Sequence, residues 1–382
     1  MKKMIVGFLA VVVVCFASRA GDPAVNDVWT EGGLNYRVSQ KADESLYLTL
    51  TGSVATNEVV VPSSVTSNDQ TLAVLAVAND AFKNKTAITN LVLADGIEFI
   101  GTNAFYGCTG LSSVSLGSGL VSIAPSAFYN CRVLGEVVLP NSVTNVGNSA
   151  FLLCEGITNL VIGSGLKRIV SDGSGTYPKN AAMHLTVNGD GETVIADGAF
   201  GSSKIRSVTL RGVKYIGNEN LGSNGAFNRC ENLESVDFGD DLVQIGVDSF
   251  YGCKSLGPVS LPDSLVRIGE SAFTQCTNMT SIAFGSGVRQ IDNSAFYSCS
   301  GLTDVELPAS VAASVTTAIA GFVADATAIP IGTRMPIAPQ LAPVVNAKTA
   351  AITNSAAGST ATGNPPFTIA EAMNLPVPRR SV

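Results

Sequence analysis

Residues 111–133 read LSSVSLGSGLVSIAPSAFYNCRV, residues 134–156 read LGEVVLPNSVTNVGNSAFLLCEG, and residues 256–278 read LGPVSLPDSLVRIGESAFTQCTN. The three stretches align without a gap. Each opens with Leu, has Val at its fourth position and Leu at its sixth, and ends with a Phe followed three residues later by Cys. Further units begin near residues 88, 157, 183, 205, 233 and 279. Because self-similarity at a fixed period is the signature of a repeat architecture, we predict a chain built of stacked coils.

Phenylalanine and cysteine mark the predicted core. Phe82 and Phe105 are 23 residues apart, and the same interval recurs along much of the chain. Equivalent positions of stacked coils lie above one another, so residues at this spacing are expected to form continuous buried columns. Truncating a buried Phe to Ala costs about 3–5 kcal/mol. The predicted repeat core consists of Phe105, Cys108, Phe128, Cys131, Phe151, Cys154, Phe227, Cys230, Phe250, Cys253, Phe273, Cys276, Phe296 and Cys299.

The first half of each unit has the pattern of a short strand. In the unit that begins at Leu111, Val114 and Leu116 are separated by serine, and alternation with a period of two predicts a strand with one buried face. The G-S-G at 117–119 predicts a corner. One unit cannot bury its own apolar face, but stacked units spaced about 4.8 Å apart close a continuous core. The predicted fold is a β-rich right-handed solenoid, with a parallel sheet of short strands, tight turns, short helical turns and few true helices.

The repeat resembles the BspA-type leucine-rich repeat of bacterial surface proteins. The segments IGESAFTQCTNMTSIAF (268–284) and IGTNAFYGCTGLSSVSL (100–116) carry the resemblance, which covers roughly residues 59–308. The opening GGLNYRVSQKADESLYLTLTGSV (32–54) also resembles the strand pair that precedes such repeats. The resemblance implies a leucine-rich-repeat solenoid, export, display at the cell surface, and adhesion to host matrix proteins or other cells.

The first twenty residues have the pattern of a signal peptide. Lys2 and Lys3 precede an apolar run from Ile5 to Ala17, and Ser18-Arg19-Ala20 follows, with small residues at positions 18 and 20. This order of charge, apolar core and small residues predicts export and removal of residues 1–20. No later apolar run reads as a transmembrane span, which needs about 20 residues.

The remaining chain divides into four expected segments. Residues 21–58 are predicted to be an N-terminal strand cap, and residues 59–308 the solenoid of 23-residue units. Residues 309–328 have the composition of a C-terminal cap helix that covers the last coil. Residues 329–382 are rich in Ala, Pro and Thr with few charges, which predicts a flexible tail.

Seven of the eight cysteines lie outside the predicted signal peptide, which contains Cys15. Secretion favours disulfides. One cysteine per coil, however, gives a column of parallel side chains about 4.8 Å apart, whereas disulfides place the Cβ atoms about 3.8 Å apart. Buried reduced thiols that pack as small apolar residues are therefore favoured, with one or two bridges as the alternative.

Composition argues against several classes of function. A net charge of −7 and the absence of a basic run argue against nucleic-acid binding. The single histidine, His184, has no neighbouring nucleophile in the sequence, and no carboxylate pair stands in a setting that suggests acid–base catalysis. We therefore expect no enzymatic activity, no cofactor and no metal site.

Two surfaces are candidates for contact with a partner. The outward strand residues, such as Ser113 and Ser115, are small and neutral, which predicts weak or multivalent adhesion. The coils that begin at 157 and 205 carry the extra residues SDGSGTYPKN (171–180) and GNENLGSN (217–224). Insertions in repeat proteins often mark the binding face, although neutral drift in loop length is the alternative. The candidate contact residues in these loops are Asp172, Tyr177, Lys179 and Glu219.

The sequence therefore predicts a secreted or cell-surface, adhesin-like protein without catalysis. Its expected partner is an extracellular protein or another cell-surface ligand. The alternative is a structural envelope or spacer protein without a defined ligand. Saturable binding distinguishes the two hypotheses.

Overall fold

The computed structural model describes residues 22–53, 57–171, 175–217, 225–308 and 311, together with the backbone of 334–336. These residues form a β-solenoid of about ten coils with parallel sheets, as the repeat predicts. No helix occurs among the described residues, so tight turns stand where short helical turns were expected. The predicted signal peptide lies outside the described residues, as does nearly all of the predicted cap helix.

Each coil has three sides around one core. In the coil of residues 134–156, Glu136–Leu139 is the longer strand, Asn145–Val146 is the shorter strand, and tight turns follow. The three are called here the long-strand side, the short-strand side and the turn side. Leu139, Phe151 and their equivalents in other coils are buried, so all three sides contribute to a single continuous core.

An antiparallel cap precedes the first coils. The first six strands are β1 (Val28–Glu31), β2 (Leu34–Gln40), β3 (Leu46–Ser53), β4 (Glu58–Val61), β5 (Ser64–Ser67) and β6 (Gln70–Val77). β1, β2 and β3 pair antiparallel, and β5 and β6 form a hairpin. β3 then pairs in parallel with β6, which joins the cap to the short-strand sheet. Tyr36 of β2 is buried in the core, and Trp29 of β1 packs partly buried against it.

Parallel strands follow, and paired strands come from neighbouring coils. They are β7 (Asn90–Leu93), β8 (Phe99–Ile100), β9 (Ser113–Ser115), β10 (Ser122–Ile123), β11 (Glu136–Leu139), β12 (Asn145–Val146), β13 (Asn159–Ile162), β14 (Arg168–Ile169), β15 (His184–Ile195), β16 (Ser207–Ile216), β17 (Ser235–Asp237), β18 (Gln244–Ile245), β19 (Val259–Ser260), β20 (Arg267–Ile268), β21 (Ile282–Ala283), β22 (Gln290–Ile291) and β23 (Asp304–Glu306). Glu136 pairs with Asn159 on the long-strand side, and Ile123 with Val146 on the short-strand side. Equivalent residues therefore stack in columns.

β15 and β16 depart from the regular coil because each runs through both strand sides. The first part of β15 pairs with β13 and its end pairs with β14, while β16 accompanies it along both parts. The register shifts beside Thr193, where the two strands bend. A Cβ on Gly189 would lie 2.3 Å from the carbonyl oxygen of Gly212, so this close approach requires glycine. A continuous bent strand thus replaces the corner turn in these two coils.

An aromatic column fills the core under the turn side. The rings of Phe82 and Phe105 stack with centroids 5.1 Å apart and planes 3° apart. Stacked contacts continue through Phe128 and Phe151, and a second run comprises Tyr177, Phe200, Phe227, Phe250, Phe273 and Phe296. Every predicted core phenylalanine and cysteine is buried. These buried side chains therefore form one core that runs through successive coils.

Residues with positive φ shape the turn side, and backbone hydrogen bonds between neighbouring coils stabilise it. Ser126 (φ 57°) and Asn130 (φ 61°) flank Phe128, and equivalent positions of other coils also have positive φ. A residue in this region cannot continue a right-handed helix, which is why tight turns replace the expected helical ones. The Phe128 amide donates to the Ala150 carbonyl of the next coil at 2.9 Å. The turns of neighbouring coils are thereby joined.

One further strand lies beyond the last coil. β24 (Arg334–Pro336) pairs antiparallel with β23. The sequence predicts a flexible tail from residue 329, and at these three residues the chain forms a strand instead. The physical reason is the open edge of β23, since an end strand offers unpaired backbone groups that another segment can satisfy.

Candidate binding surfaces

The outward face of the long-strand sheet has the alternation that the sequence predicts. Glu136 and Val138 are exposed, whereas Val137 and Leu139 are buried. Polar side chains on this face bond to one another, as when Asn159 Nδ2 donates to Glu136 Oε1 at 2.7 Å. Polar groups that are satisfied within the sheet gain less from a partner. The face therefore offers mainly small and aliphatic contacts.

The seven cysteines of the coils are free and buried. Each thiol donates to the backbone carbonyl of a phenylalanine in the preceding coil, and Cys131 Sγ lies 3.2 Å from Phe105 O. The same contact is made by Cys108, Cys154, Cys230, Cys253, Cys276 and Cys299. Burial raises the pKa of the Cys108 thiol to about 12. Because the thiolate is the reactive form, this column is a packing element rather than a chemical site.

The predicted contact residues of the inserted segments are placed only in part. Tyr177 is buried and its ring stacks on Phe200 with centroids 5.0 Å apart, so its expected role as a surface contact is wrong. It occupies the aromatic core position of its coil, because the insertion shifts that position by three residues relative to the regular period. Lys179 is half-buried, and its carbonyl accepts the Lys204 amide at 2.9 Å. Asp172 and Glu219 lie outside the described residues.

A charged corner accompanies the bent strands. Lys167 forms an ion pair with Asp190, and Lys214 Nζ lies 2.7 Å from Glu192 Oε1. The hydrogen bond from Lys167 lowers the pKa of Asp190, and the bond to Glu192 raises the pKa of Lys214. Each charge already has a partner in the adjacent coil. This corner therefore joins coils, and an incoming partner would have to compete with these pairs.

A pair of stacked tyrosines lies on the turn side. The rings of Tyr106 and Tyr129 are 4.8 Å apart and 7° from parallel, and both side chains are half-buried. Lys83 Nζ lies 5.6 Å from the centroid of the Tyr106 ring. Arg132, three residues after Tyr129 in the chain, is exposed. Arg132 Nε donates to Asn130 Oδ1 at 2.8 Å. These residues, Lys83, Tyr106, Tyr129, Asn130 and Arg132, are named here the tyrosine surface.

Sequence reasoning missed the tyrosine surface, although a signal for it is present. The motifs AFYGC (104–108), AFYNC (127–131) and AFYSC (295–299) place Tyr directly after the core Phe. Because the Phe points inward, the following side chain is directed outward. Tyr297 is 51% exposed, in agreement with this pattern. The turns thus carry outward tyrosines in several coils, in addition to the aromatic side chains of the strands, such as the exposed Phe99 of β8.

Neither a metal cluster nor a spanning helix occurs in the part of the chain that the structure describes. No group of three or more His, Cys, Asp or Glu side chains is arranged to hold a metal ion there. The same residues contain no helix of the length and apolarity needed to cross a membrane. The fold and these surfaces define a repeat solenoid, the class of protein in which stacked coils present extended faces to solvent.

The chain belongs to the BspA type leucine rich repeat family. The sequence profile of that repeat region matches in six copies, over residues 76–173 and 193–321. These residues are more than half of the chain and include both the regular coils and the bent strand β16. The resemblance inferred from the repeated motifs is confirmed.

Several solved structures are similar to this chain. A leucine rich cell surface protein from Faecalibacterium prausnitzii is 24% identical, with 77% of this chain and 85% of that chain covered and a TM-score of 0.45. A leucine rich repeat protein from T. pallidum is 24% identical over 58% of this chain and 87% of its own, with a TM-score of 0.39. The pneumococcal vaccine antigen PcpA is 16% identical over 81% and 92%, with a TM-score of 0.35. Comparison with curated proteins gives no match.

Proposed function

We propose that this chain is an exported, cell-surface repeat protein that binds another protein and performs no catalysis. Membership of the BspA type family and the signal-like first twenty residues support the location. The observation that carries the binding role is the stacked pair Tyr106 and Tyr129 beside Lys83. It places two stacked aromatic rings beside the cation Lys83, which also pairs with Asp80, on the turn side of neighbouring coils.

The chemistry of the tyrosine surface suits a protein partner. Tyr and Arg are the residue types on which binding energy most often concentrates, because they bury large area and still donate hydrogen bonds. Tyr106 and Tyr129 already hold each other in place by stacking, so little side-chain entropy remains to be lost on binding. The long-strand face lacks such anchors: its most exposed apolar residues are Val60 and Val138, at 53% and 48%.

The inserted segments are the second candidate surface. Segments 171–180 and 217–224 occupy the same place in coils two apart, and Asp172, Lys179 and Glu219 are the proposed contact residues. Equivalent insertions project from one side of a solenoid, which supports this alternative. A spacer protein without a ligand is the remaining alternative.

Binding to immobilised fibronectin, fibrinogen, epithelial cells and bacterial cells tests the proposal. The double substitution Tyr106→Ser and Tyr129→Ser is expected to weaken saturable binding about tenfold or more, as loss of central aromatic anchors does. Tyr47→Ser, at a half-buried tyrosine of β3 in the cap, is the matched control and should leave binding unchanged. Circular dichroism checks that all variants are folded.

The other outcomes separate the alternatives. Binding that survives the double substitution but is lost when 171–180 and 217–224 are shortened to the regular period moves the site to the insertions. Binding that neither change affects assigns it to another face, such as the long-strand sheet. Absence of saturable binding to any of the four surfaces contradicts the proposal and supports the spacer.

A further inference from the structure

The ends of the two strand sides are covered unequally in the described residues. At the N-terminal end of the short-strand side, β3 pairs with β6, and β2 and β1 follow. At the C-terminal end of the long-strand side, β24 pairs with β23. At the N-terminal end of the long-strand side, β4 pairs among these residues with β7 alone, so its other edge has no strand beside it. The remaining end is β22, which is only two residues long.

The hydrogen bonds to β7 show which backbone groups of β4 remain. The Asn57 carbonyl accepts the Thr89 amide at 2.6 Å, and the Val61 carbonyl also accepts an amide of the next coil, at 3.0 Å. Alternate residues of a strand bond to the same neighbour, so the backbone groups of Glu58 and Val60 point away from β7. No backbone hydrogen bond to these groups occurs in the part of the chain that the structure describes. They are named here the free edge.

The side chains of β4 leave the free edge accessible. Val60 is 53% exposed, whereas Val59 and Val61 are buried. The Glu58 carboxylate accepts a hydrogen bond from Asn90 Nδ2 at 2.7 Å, which holds it towards β7. Natural proteins usually blunt a sheet edge with lysine, proline or a bulge. β4 contains neither lysine nor proline, and its register with β7 has no bulge.

The opposite end of the long-strand side shows that an extended segment can pair with such an edge. Arg334–Pro336 lies beyond the repeat units, yet it pairs antiparallel with Asp304–Glu306 of β23. The register sets Arg334 opposite Glu306. An added antiparallel strand with a basic residue opposite an acidic one therefore already occurs in this fold.

The chemistry of the free edge defines the segment that fits it. A strand added antiparallel exchanges N–H and C=O bonds with Val60 and again with Glu58. A β-branched residue opposite Val60 and a Lys or Arg opposite Glu58 give stabilising cross-strand pairs. The residue between them lies on the same face as the buried Val59, so it should be uncharged. The fitting pattern is a β-branched residue, an uncharged residue, then Lys or Arg.

We propose that the free edge is a second binding site, which takes an extended segment of a partner protein with this pattern as an added antiparallel strand. Main-chain bonds supply the affinity and the two outward side chains the selectivity. A second copy of this chain is a less suitable occupant, because its β24 already pairs with its own β23. The site lies on the long-strand side, whereas the tyrosine surface lies on the turn side, so binding here does not depend on Tyr106 or Tyr129.

Amide hydrogen exchange of the full chain, resolved by residue with NMR, tests whether the edge is free. The amides of Glu58 and Val60 should exchange at least about tenfold faster than those of Val59 and Val61, which face β7. If all four amides exchange equally slowly, another segment covers the edge and the proposal is wrong.

A capped peptide, Thr-Val-Ala-Lys-Thr, is the probe for strand addition. At millimolar concentration it should slow exchange of the Glu58 and Val60 amides by about threefold or more. The same peptide, N-methylated at its Val and Lys, lacks the required donors and should protect neither amide. Absence of protection by the first peptide, or equal protection by both, overturns the proposal.

Val60→Pro separates strand addition from other binding. It removes the free N–H but no bond to β7, so circular dichroism should be unchanged while protection of Glu58 by the peptide is lost. Val60→Thr keeps the N–H and the β-branch and should bind the peptide as the native chain does. Glu58→Gln should weaken binding by about two- to fivefold at low salt. Binding that Val60→Pro and Glu58→Gln both leave unchanged places the peptide elsewhere and contradicts the proposal.

Discussion

The Cys131 thiol donates a hydrogen bond to the backbone carbonyl of Phe105, 3.2 Å away in the preceding coil. The same carbonyl accepts the Cys108 amide at 3.2 Å. One oxygen thus closes the turn of its own coil and binds the next coil. The repeat places cysteine here because the position needs a small side chain, compatible with the core, that still donates a proton.

Replacing Cys131 by Ala is predicted to destabilise the protein by about 1–2 kcal/mol. The change removes the bond to Phe105 and leaves a small void beside the aromatic column. Urea unfolding followed by circular dichroism measures the loss. Ser115→Ala, at an exposed strand position, is the control and should change stability by less than about 0.5 kcal/mol. Equal effects of the two variants would contradict the role assigned to the thiol.

Stability is predicted to fall at alkaline pH because of the buried thiols. Burial raises the pKa of Cys108 from 9.0 to about 12. A raised folded-state pKa means that the stabilisation is complete below the unfolded pKa and is lost as pH rises towards the folded one. The free energy of unfolding should therefore be flat to about pH 8 and decline above about pH 9, by at most about 1.4 kcal/mol per pH unit for each thiol. Urea titrations at several pH values measure the slope.

The variant Cys108→Ala tests the cause of that decline. It should show a shallower decline than the native protein above about pH 9, since one titrating group is gone. Burial also raises the pKa of Tyr36 to about 12, which acts in the same direction at higher pH. An unchanged slope in the variant would show that the Cys108 thiol does not contribute to the alkaline loss.

Asp263 is predicted to stabilise the corner of the next coil. Its Oδ1 accepts the Ser286 amide at 2.7 Å, and this bond lowers the pKa of the carboxyl. Asp263→Ala should lower the urea midpoint. Asp263→Asn should do so less, because Asn141 makes the equivalent bond to the Ser164 amide at 3.1 Å.

The Asp263 carboxylate also predicts the direction in which protein stability changes on acidification. A lowered folded-state pKa contributes stability above the unfolded pKa, about 3.9 for Asp, and this is lost as pH falls through the folded value. The native protein should therefore lose more stability than the Asp263→Asn variant on acidification from pH 5 to about pH 3. If the native protein and the Asp263→Asn variant lose the same stability between the two pH values, the carboxylate charge contributes nothing here.

Tyr177 is predicted to behave as a core residue. Tyr177→Ala should cost about 3–5 kcal/mol, as truncation of a buried aromatic does. Tyr177→Phe should keep or raise stability, because the regular coils carry Phe at this position and burial disfavours the hydroxyl. Thermal unfolding of both variants measures the difference. A surface role would instead make both substitutions nearly neutral.

The coil, its period and its core can be derived from the order of residues alone. A Phe and a Cys recurring every 23 residues, with apolar alternation before them, admit few other arrangements, because only stacked coils can bury such columns. The outward alternation of Glu136 and Val138 followed from the period of two. These features depend on the order of residues within each repeat unit, and that order can be read directly from the sequence.

Tertiary structure alone decided how the irregular coils are accommodated. The sequence placed Tyr177 on an inserted loop, but the neighbouring aromatic column drew it into the core. No feature of the sequence predicts that β15 and β16 bend through two sides. The Tyr that follows the core Phe is visible in the sequence, but the stacking of Tyr106 and Tyr129 at 4.8 Å is decided by the packing of their coils. Each outcome depends on contacts between residues about one coil apart, and the free energy of such contacts is set by the neighbouring coil rather than by the segment itself.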